Sequence, residues 1–545
     1  MLERKKPYKN VEPMVTINNI RQILFQHDIF VIETSQKKDP LTGVCSCRVI
    51  LGDDGLRELN IGSNGKGMDS RYALASAYAE FLERLQNGAL LWKIIGIPKT
   101  LPNAKNIDAN KYKEAVYKVL RLAYGDGNYD KVVNRLMEDN DYKTIEFTEY
   151  TSGEKLLFPV DLLNRMTGSN GMAAGNTLLE AIIQGLSEIF ERKAIQDIFL
   201  EKATVPIIDS KFFEGNEVID RLNMLKKKEI NYRILDCSLE QGLPVIGLLL
   251  EKDGKYHVHF GADPSPITAL ERCLTETFQG RNINELPLYE PLKESEDEQV
   301  LFENEKKEYT DSSGQVPSWL VNGCNAKFKG FVHEKTVSDE DDMNYYLQIL
   351  SDMKCKLFVC KMNNLGFPAV RLYVPGITEN HCPNPDYCIE KKVPVRAIEL
   401  LRKLPLLTDD DFHELARIIK KWLKVEYGYE KEDDICRDDY LNLKYNMPVG
   451  NFNNKIFEGP LLIAAIFCRG GYDELGMRVF EKYVSKKSIP EESAEFLRVK
   501  LKSKKTLFLP TEWPSCPDCD KCRSRNICSE SILRPLASRL EKVLS

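Results

Sequence analysis

Apolar positions recur at helical spacing over residues 17–26, then shift to strand-like runs at 29–33 and 45–51. Asp53, Asp54 and Gly55, between Leu51 and Leu56, form a hairpin turn signal. A glycine-rich loop, Gly62 to Gly67, leads into an amphipathic helix over about 72–87, and residues 100–150 are polar and read as helical. A second glycine-rich loop, Gly168 to Gly175, opens a helix over 177–199. Strands follow at 232–235, 244–250 and 256–260, and a third loop, Gly261 to Pro266, precedes a helix over 269–279. The order of strand, small-residue loop and amphipathic helix thus occurs three times by residue 280. It predicts an α+β fold with helices packed on antiparallel sheets.

Residues 290–315 are rich in Glu, Asp and Lys and read as a solvated excursion. Strands return at 356–361 and 369–374, and helices follow at 395–401, 409–426, 460–467 and 473–484. The pattern divides the chain into an α+β region over 1–395, a helical region over 396–510 and a cysteine-bearing tail over 511–545.

The polar faces of two of these helices carry the candidate chemistry. At about 100° per residue, Ser76, Glu80, Glu83 and Asn87 share a narrow arc, with Leu74, Tyr78, Phe81, Leu82 and Leu85 opposite. On the second helix Glu180, Gln184, Ser187, Glu188 and Glu191 share a face, with Ile182, Leu186 and Ile189 opposite. Either stripe alone reads as a solvated surface, because Glu80 with Arg84 and Glu188 with Arg192 are favourable i,i+4 pairs worth a few tenths of a kcal/mol. Three features argue for a site. The pattern E-x-x-E-R recurs, alanines flank the first stripe, and each stripe follows a loop whose freed N–H groups can hold phosphate. Carboxylates in such number need a cation, and an oxygen-only set suits Mg²⁺. A di-iron bundle needs Glu-x-x-His, and none of the 6 histidines has Glu three residues before it. Neither glycine-rich loop has the spacing of a P-loop or of G-x-G-x-x-G.

Composition narrows the classes. The 545 residues are 43% hydrophobic and 29% charged with a net charge of −6, so there is no general attraction to nucleic acid or anionic membrane. No apolar run reaches the roughly 20 residues needed to span a bilayer, and no apolar segment follows the charged N-terminus, so a cytoplasmic protein is expected. Of the 15 cysteines, 11 are scattered and read as core residues. The other four, Cys516, Cys519, Cys522 and Cys528, have the spacing of a closed Zn²⁺ site or a [4Fe–4S] cluster, with Trp513 and Pro514 as its anchor. His257 and His259 share a strand face without an evident third ligand and read as strand packing, while Cys382 and Cys388 are weak ligand candidates.

The motifs resemble a known family. Asn64-Gly-Lys-Gly67 with Ala73-Leu-Ala-Ser-Ala77 and Glu80-Phe-Leu-Glu-Arg84 is similar to the first signature of YcaO-domain proteins. Ser169 to Gly175, Asn176, Glu180 and Glu188-Ile-Phe-Glu-Arg192 resemble the second. Ala269-Leu-Glu-Arg272, Leu274-Thr-Glu276 and Gln279-Gly-Arg281 resemble the third, and Val370 to Gly376 is similar to a further family segment. The resemblance implies ATP-dependent activation of a backbone amide. Glu80, Glu83, Glu180, Glu188 and Glu191 would hold Mg²⁺, and Ser76, Asn176, Arg192, Gln279 and Arg281 would contact ATP. Lys9 and Thr16 match nucleotide-reaching positions of one subgroup, and Lys66 is a candidate phosphate partner.

Azoline-forming relatives often end in a PxPxP tail, which the ending Arg539-Leu-Glu-Lys-Val-Leu-Ser545 does not match, and no fused leader-peptide-binding domain is expected ahead of Lys9. The resemblance therefore points to the stand-alone branch linked to methylthiolation of ribosomal protein S12. Expected partners are a peptide or ribosomal-protein substrate, a partner enzyme such as a methylthiotransferase, and a second copy in a homodimer. Two rivals remain: an adaptor in which ATP only sets conformation, and a structural metalloprotein with solvated stripes.

Overall fold

The computed structural model describes residues 9–502 apart from 53–59, 91–100, 139, 324–326, 334–336, 380–383, 390–393, 403–406, 428–444, 447–455, 458 and 488–489. The turn at Asp53, Cys382, Trp513 and the whole Cys516–Cys528 cluster lie outside these residues.

Helix α1 (Pro13–Gln26) precedes an antiparallel sheet of β1 (Val31–Lys38), β2 (Cys45–Leu51) and β3 (Gly62–Gly67). Helix α2 (Ser70–Gln86) lies on that sheet and starts where the Asp69 carboxylate accepts from the Arg71 and Tyr72 N–H groups. A larger sheet collects β4 (Lys105–Asn106), β5 (Lys143–Glu149), β6 (Lys155–Pro159) and β7 (Met172–Ala174) with two later strands. Helices α3 (Ala109–Tyr124), α4 (Asp130–Met137) and α5 (Val160–Thr167) are interspersed among them. Helix α6 (Leu178–Leu200) follows β7, its first turn capped by Thr177, which accepts from the Glu180 N–H.

A third sheet, β11-β10-β9-β8, comprises β8 (Ile207–Ile208), β9 (Asn231–Asp236), β10 (Val245–Lys252) and β11 (Lys255–Ala262). It is followed, after α7 (Glu217–Met224) within it, by α8 (Pro266–Thr277), with Ser265 as cap and Pro266 at the first position. Then come α9 (Glu298–Asp311), α10 (Ser318–Asn322) and α11 (Asp339–Asp352). Strands β12 (Phe358–Lys361) and β13 (Ala369–Tyr373) complete the second sheet in the order β4-β5-β12-β13-β7. The fold is α+β with antiparallel pairing throughout its described ladders, as expected. Residues 397–501 form a separate hydrophobic core among α12 (Val395–Arg402), α13 (Asp409–Tyr427), α14 (Gly459–Arg469), α15 (Asp473–Lys487) and α16 (Glu491–Lys502). No helix of the described residues is long and apolar enough to cross a membrane.

Three expectations are corrected. Gly62–Gly67 is a paired strand and not a loop, so the N–H and C=O groups on its inner edge serve the ladder with β2. Its glycines admit α2: a Cβ on Gly65 would stand 2.0 Å from the Ala73 carbonyl oxygen. Residues 100–150 hold two helices but also β5, whose Ile145 and Phe147 are fully buried. The excursion at 290–315 contains α9, which packs on α6 and buries Asn304, Glu305 and Glu308.

Candidate functional site

The strand-then-helix units β3–α2, β7–α6 and β11–α8 carry the three motifs, and in each a glycine at the end of the strand lies against the first turns of the helix. Gly261 repeats the tight approach of Gly65, its Cβ position lying 2.3 Å from the Ala269 carbonyl oxygen. This packing brings the polar faces of α2, α6 and α8 into mutual electrostatic reach.

Glu83 shows this most clearly. Burial raises its carboxyl well above the usual range, Arg84 opposes, and Glu188 and Glu80 push it higher. Burial likewise raises Glu191; Arg192 opposes, Glu188 adds, and Lys66 and Arg272 oppose. Lys66 reports the same cleft from β3. Burial pulls its ammonium down to about 8 against the attraction of Glu191, Glu80 and Glu188, and it pairs with Glu276 of α8. Four of the predicted carboxylates therefore share one field.

Cations sit between them. Arg84 Nε lies 3.7 Å from Glu80 and 3.5 Å from Glu83, and Arg192 Nη2 lies 3.7 Å from Glu188. These separations are too long for hydrogen bonds, so each pair is a through-space attraction. Arg192 is further held by α9: Nη1 donates to the Tyr309 carbonyl at 2.9 Å, and the guanidinium lies 4.2 Å from the Tyr309 ring centroid. Arg272 donates to Gln184 at 2.8 Å and to Asp263 at 3.0 Å, which ties α8 to α6.

Glu180 stands apart. It lies roughly 12 Å along the α6 axis from Glu188. Its partners are Lys9 Nζ at 3.2 Å, the Asn10 N–H at 3.4 Å and Asn176 Nδ2 at 3.2 Å. Thr16 donates to Asn176 Oδ1 at 2.6 Å, so Lys9, Thr16, Asn176 and Glu180 make one hydrogen-bonded group. Ser76 is half-buried one turn before Glu80. Gln279 and Arg281 follow α8 and are half-buried, and the Arg281 charge reaches the paired histidines of β11. Ser187, expected on the acidic face, is buried and bonded to Tyr346 at 2.7 Å.

Among the described residues no group of three or more His, Cys, Asp or Glu side chains could hold a metal ion. Arg84, Arg192 and Lys66 interleave the carboxylates, so the expected five-carboxylate set is not a single preformed cluster. The chemistry of the donors nevertheless fits Mg²⁺. Glu80, Glu83, Glu188 and Glu191 offer only oxygen, and mutual repulsion after burial favours a cation among them. His257 and His259 meet Nε2 to Nε2 at 2.8 Å, fully or almost fully buried; burial lowers His257 to about 3 and His259 well below its usual value. They bond each other, in keeping with strand packing. Of the eight described free cysteines, seven are buried, as expected for core residues.

Arg84, Arg272, Glu276, Glu305 and Tyr309 join the cleft without having been assigned site roles from the sequence. Arg84, Arg272 and Glu276 lie inside the recognised motifs. Glu305 and Tyr309 had one faint signal: Leu301, Asn304, Glu305 and Glu308 follow helical spacing, but polar side chains hide the buried face.

Comparison with known proteins bears on the same segments. Residues 64–378, more than half of the chain, match the family model described as YcaO cyclodehydratase, ATP- and Mg²⁺-binding. Over 339 residues the chain is 28% identical to the ribosomal protein S12 methylthiotransferase accessory factor YcaO of Escherichia coli. It is 27% identical over 346 residues to an uncharacterised protein of Haemophilus influenzae. Each match takes in 58% of this chain and 57% of the relative, so the chain spans little more than half the length of these curated relatives. Among solved structures, a heterocyclase in complex with substrate and cofactor is 18% identical, covering 69% of this chain and 54% of the other at a TM-score of 0.49. A YcaO from Methanopyrus kandleri bound with AMPPCP and Mg²⁺ is 19% identical, covering 69% and 93% at a TM-score of 0.43. Both overlaps have TM-scores below 0.5, and the family assignment rests on the sequence match.

Proposed function

The chain belongs to the YcaO family, and on that premise we propose that the cleft between α2, α6 and α8 binds Mg-ATP and spends its γ-phosphoryl group on a backbone amide. The observation that carries this reading is the shared field of Glu80, Glu83, Glu188 and Glu191, contributed by two helices and interleaved with Arg84, Arg192 and Lys66.

An amide oxygen is a very poor leaving group until it is phosphorylated. In the proposed reaction a nucleophile adds to the amide carbonyl carbon and releases its proton to solvent. The oxyanion takes the γ-phosphoryl group as ADP leaves. Inorganic phosphate then departs with the amide oxygen while the amide nitrogen gives up its proton to solvent and forms a C=N double bond, or the nucleophile does the same when it becomes the doubly bonded atom. The protein's task is placement and charge stabilisation. Bound Mg²⁺ would supply charge neutralisation between carboxylates and phosphates. Arg84, Arg192 and Lys66 would face phosphate oxygens from three elements, while Lys9, Thr16 and Asn176 order the start of α6. Ser76, Gln279 and Arg281 would bound the nucleotide from α2 and from the end of α8. Glu180, fixed by Lys9 and Asn176, would serve as an outlying ligand.

The relative from Escherichia coli is named an accessory factor for S12 methylthiotransferase, which supports a ribosomal-protein substrate and a partner enzyme for this chain. Mg²⁺-dependent ATP binding to purified protein tests the proposal. Glu83→Gln and Glu191→Gln should each abolish it, and undiminished binding in both variants would remove the metal assignment. ATP hydrolysis stimulated by a candidate peptide separates an enzyme from an adaptor.

A further inference from the structure

Resting on that reading, we infer that α9 belongs to the nucleotide site, with Tyr309 as the positioning residue that keeps the Arg192 guanidinium aimed into the cleft and off the carboxylates beside it. An arginine one turn after a glutamate ordinarily closes into a hydrogen-bonded pair along its own helix. Arg192 does not: its Nη2 stops 3.7 Å from Glu188. Arg84 stands equally far from Glu80, at 3.7 Å, and what distinguishes Arg192 is a pair of contacts from α9. The Tyr309 ring covers one face of the guanidinium at 4.2 Å, and the Tyr309 carbonyl accepts from Nη1 at 2.9 Å. Face and edge are thereby both fixed, which the planar guanidinium permits and an ammonium would not.

The surroundings are consistent with a built contact. Asn304, Glu305 and Glu308 of α9 are buried, and Asn304 closes the helix onto the chain that follows by exchanging hydrogen bonds with Gln315, at 2.8 and 2.9 Å. Arg192 Nε is buried and makes no hydrogen bond among the described residues. That donor is left unpaired although Glu188 is close by, so the clamp and not the best local pairing sets the side chain's pose. The consequence is functional: carboxylates not consumed by Arg192 stay available to Mg²⁺, and the cation stays available to phosphate.

ATP binding titrated against Mg²⁺ tests the inference. Tyr309→Leu removes the ring and leaves the residue's carbonyl as the remaining hold, so the guanidinium can tilt towards Glu188 and the Mg²⁺ concentration for half-maximal ATP binding should rise about tenfold, the scale of one desolvated cation–π contact. Tyr309→Phe keeps both the ring face and the backbone carbonyl and should restore wild-type behaviour. If Tyr309→Leu melts the chain, Tyr309→Met keeps most of the volume and carries the same expectation. Wild-type Mg²⁺ dependence in the folded Leu or Met variant would overturn the inference alone, as would equal damage from Tyr309→Phe. A wild-type protein that ignores Mg-ATP would instead overturn the functional reading and take the inference with it.

Discussion

Helices α2 and α6 carry the same five-residue pattern, Glu80-Phe-Leu-Glu-Arg84 and Glu188-Ile-Phe-Glu-Arg192, yet the fold treats the two differently. Arg84 is held by carboxylates, two on its own helix and one across the cleft on α6: burial alone would lower its pKa, but Glu83, Glu80 and Glu188 outweigh that and raise it. Arg192 is held from outside, by Tyr309. The helices also differ in how they meet their sheets. α2 presses on the backbone of β3 through Gly65, whereas the Cβ position of Gly185 on α6 meets the end of the Leu372 side chain at 2.8 Å. Equal motifs thus specify equal chemistry, while the tertiary partners decide which parts are rigid.

The largest effect should come from the strand contact. In Gly65→Ala the new methyl meets the Ala73 carbonyl oxygen and the Ala77 N–H, both backbone groups that cannot turn aside. A loss of about 3 kcal/mol in urea unfolding is expected, at the upper end for overpacking. Gly185→Ala meets a leucine terminus that can rotate, so a loss nearer ~1 kcal/mol is expected. Equal losses would mean that the two helices dock with equal rigidity.

Next in size is removal of the two arginines. Arg84→Met leaves Glu83 buried without its main counter-charge, for a loss of about 2 kcal/mol near pH 7. The Glu83 carboxyl is already raised well above the unfolded carboxylate range, so the variant's deficit should shrink as pH falls through that raised folded-state range, below which Glu83 is protonated in both folded proteins. Arg192→Met keeps an apolar stem against the Tyr309 ring and should cost less stability than Arg84→Met, although it should impair ATP binding as much. Thermal melts at two pH values, alongside nucleotide titrations, separate these outcomes.

How far the sequence discloses this arrangement varies by element. The starts of α2, α6 and α8 were legible to within a few residues from where the apolar periodicity begins, and the caps Asp69, Thr177 and Ser265 are the structural reason they lie where they do. The acidic stripes were legible as well. Strand β3 was not, because a run of glycine, serine and asparagine has loop character until a helix is known to lie on it. Strand β5 was missed because its polar flanks resemble the helices before it. Helix α9 was misread because, Leu301 apart, what it buries are carboxylates and an amide, and the burial of Glu305 makes sense only beside Arg192. The tertiary partner supplied the missing information in each case.

The smallest expected effect concerns that same buried face. Burial pushes the Glu305 carboxyl up to about 7, against the opposing charges of Arg192 and Lys306. A carboxyl raised in the folded state binds its proton more tightly there than in the unfolded chain. Stability should therefore fall as pH rises from ~4.5 through the folded value near 7, and then level off. A tenfold difference in proton affinity between the two states is worth about 1.4 kcal/mol at full linkage, and relaxation around α9 should reduce the observed change between pH 5 and 8 to about 1 kcal/mol. Glu305→Gln removes the ionisation and keeps the shape, so that part of the decline should vanish from its unfolding midpoints measured across the same range. Glu379, raised to about 7 by burial beside Tyr373, should show the same sign in Glu379→Gln but leave Mg²⁺-dependent ATP binding untouched. A change in ATP binding confined to Glu305→Gln would place α9, and with it the external hold on Arg192, in the site that distinguishes α6 from α2.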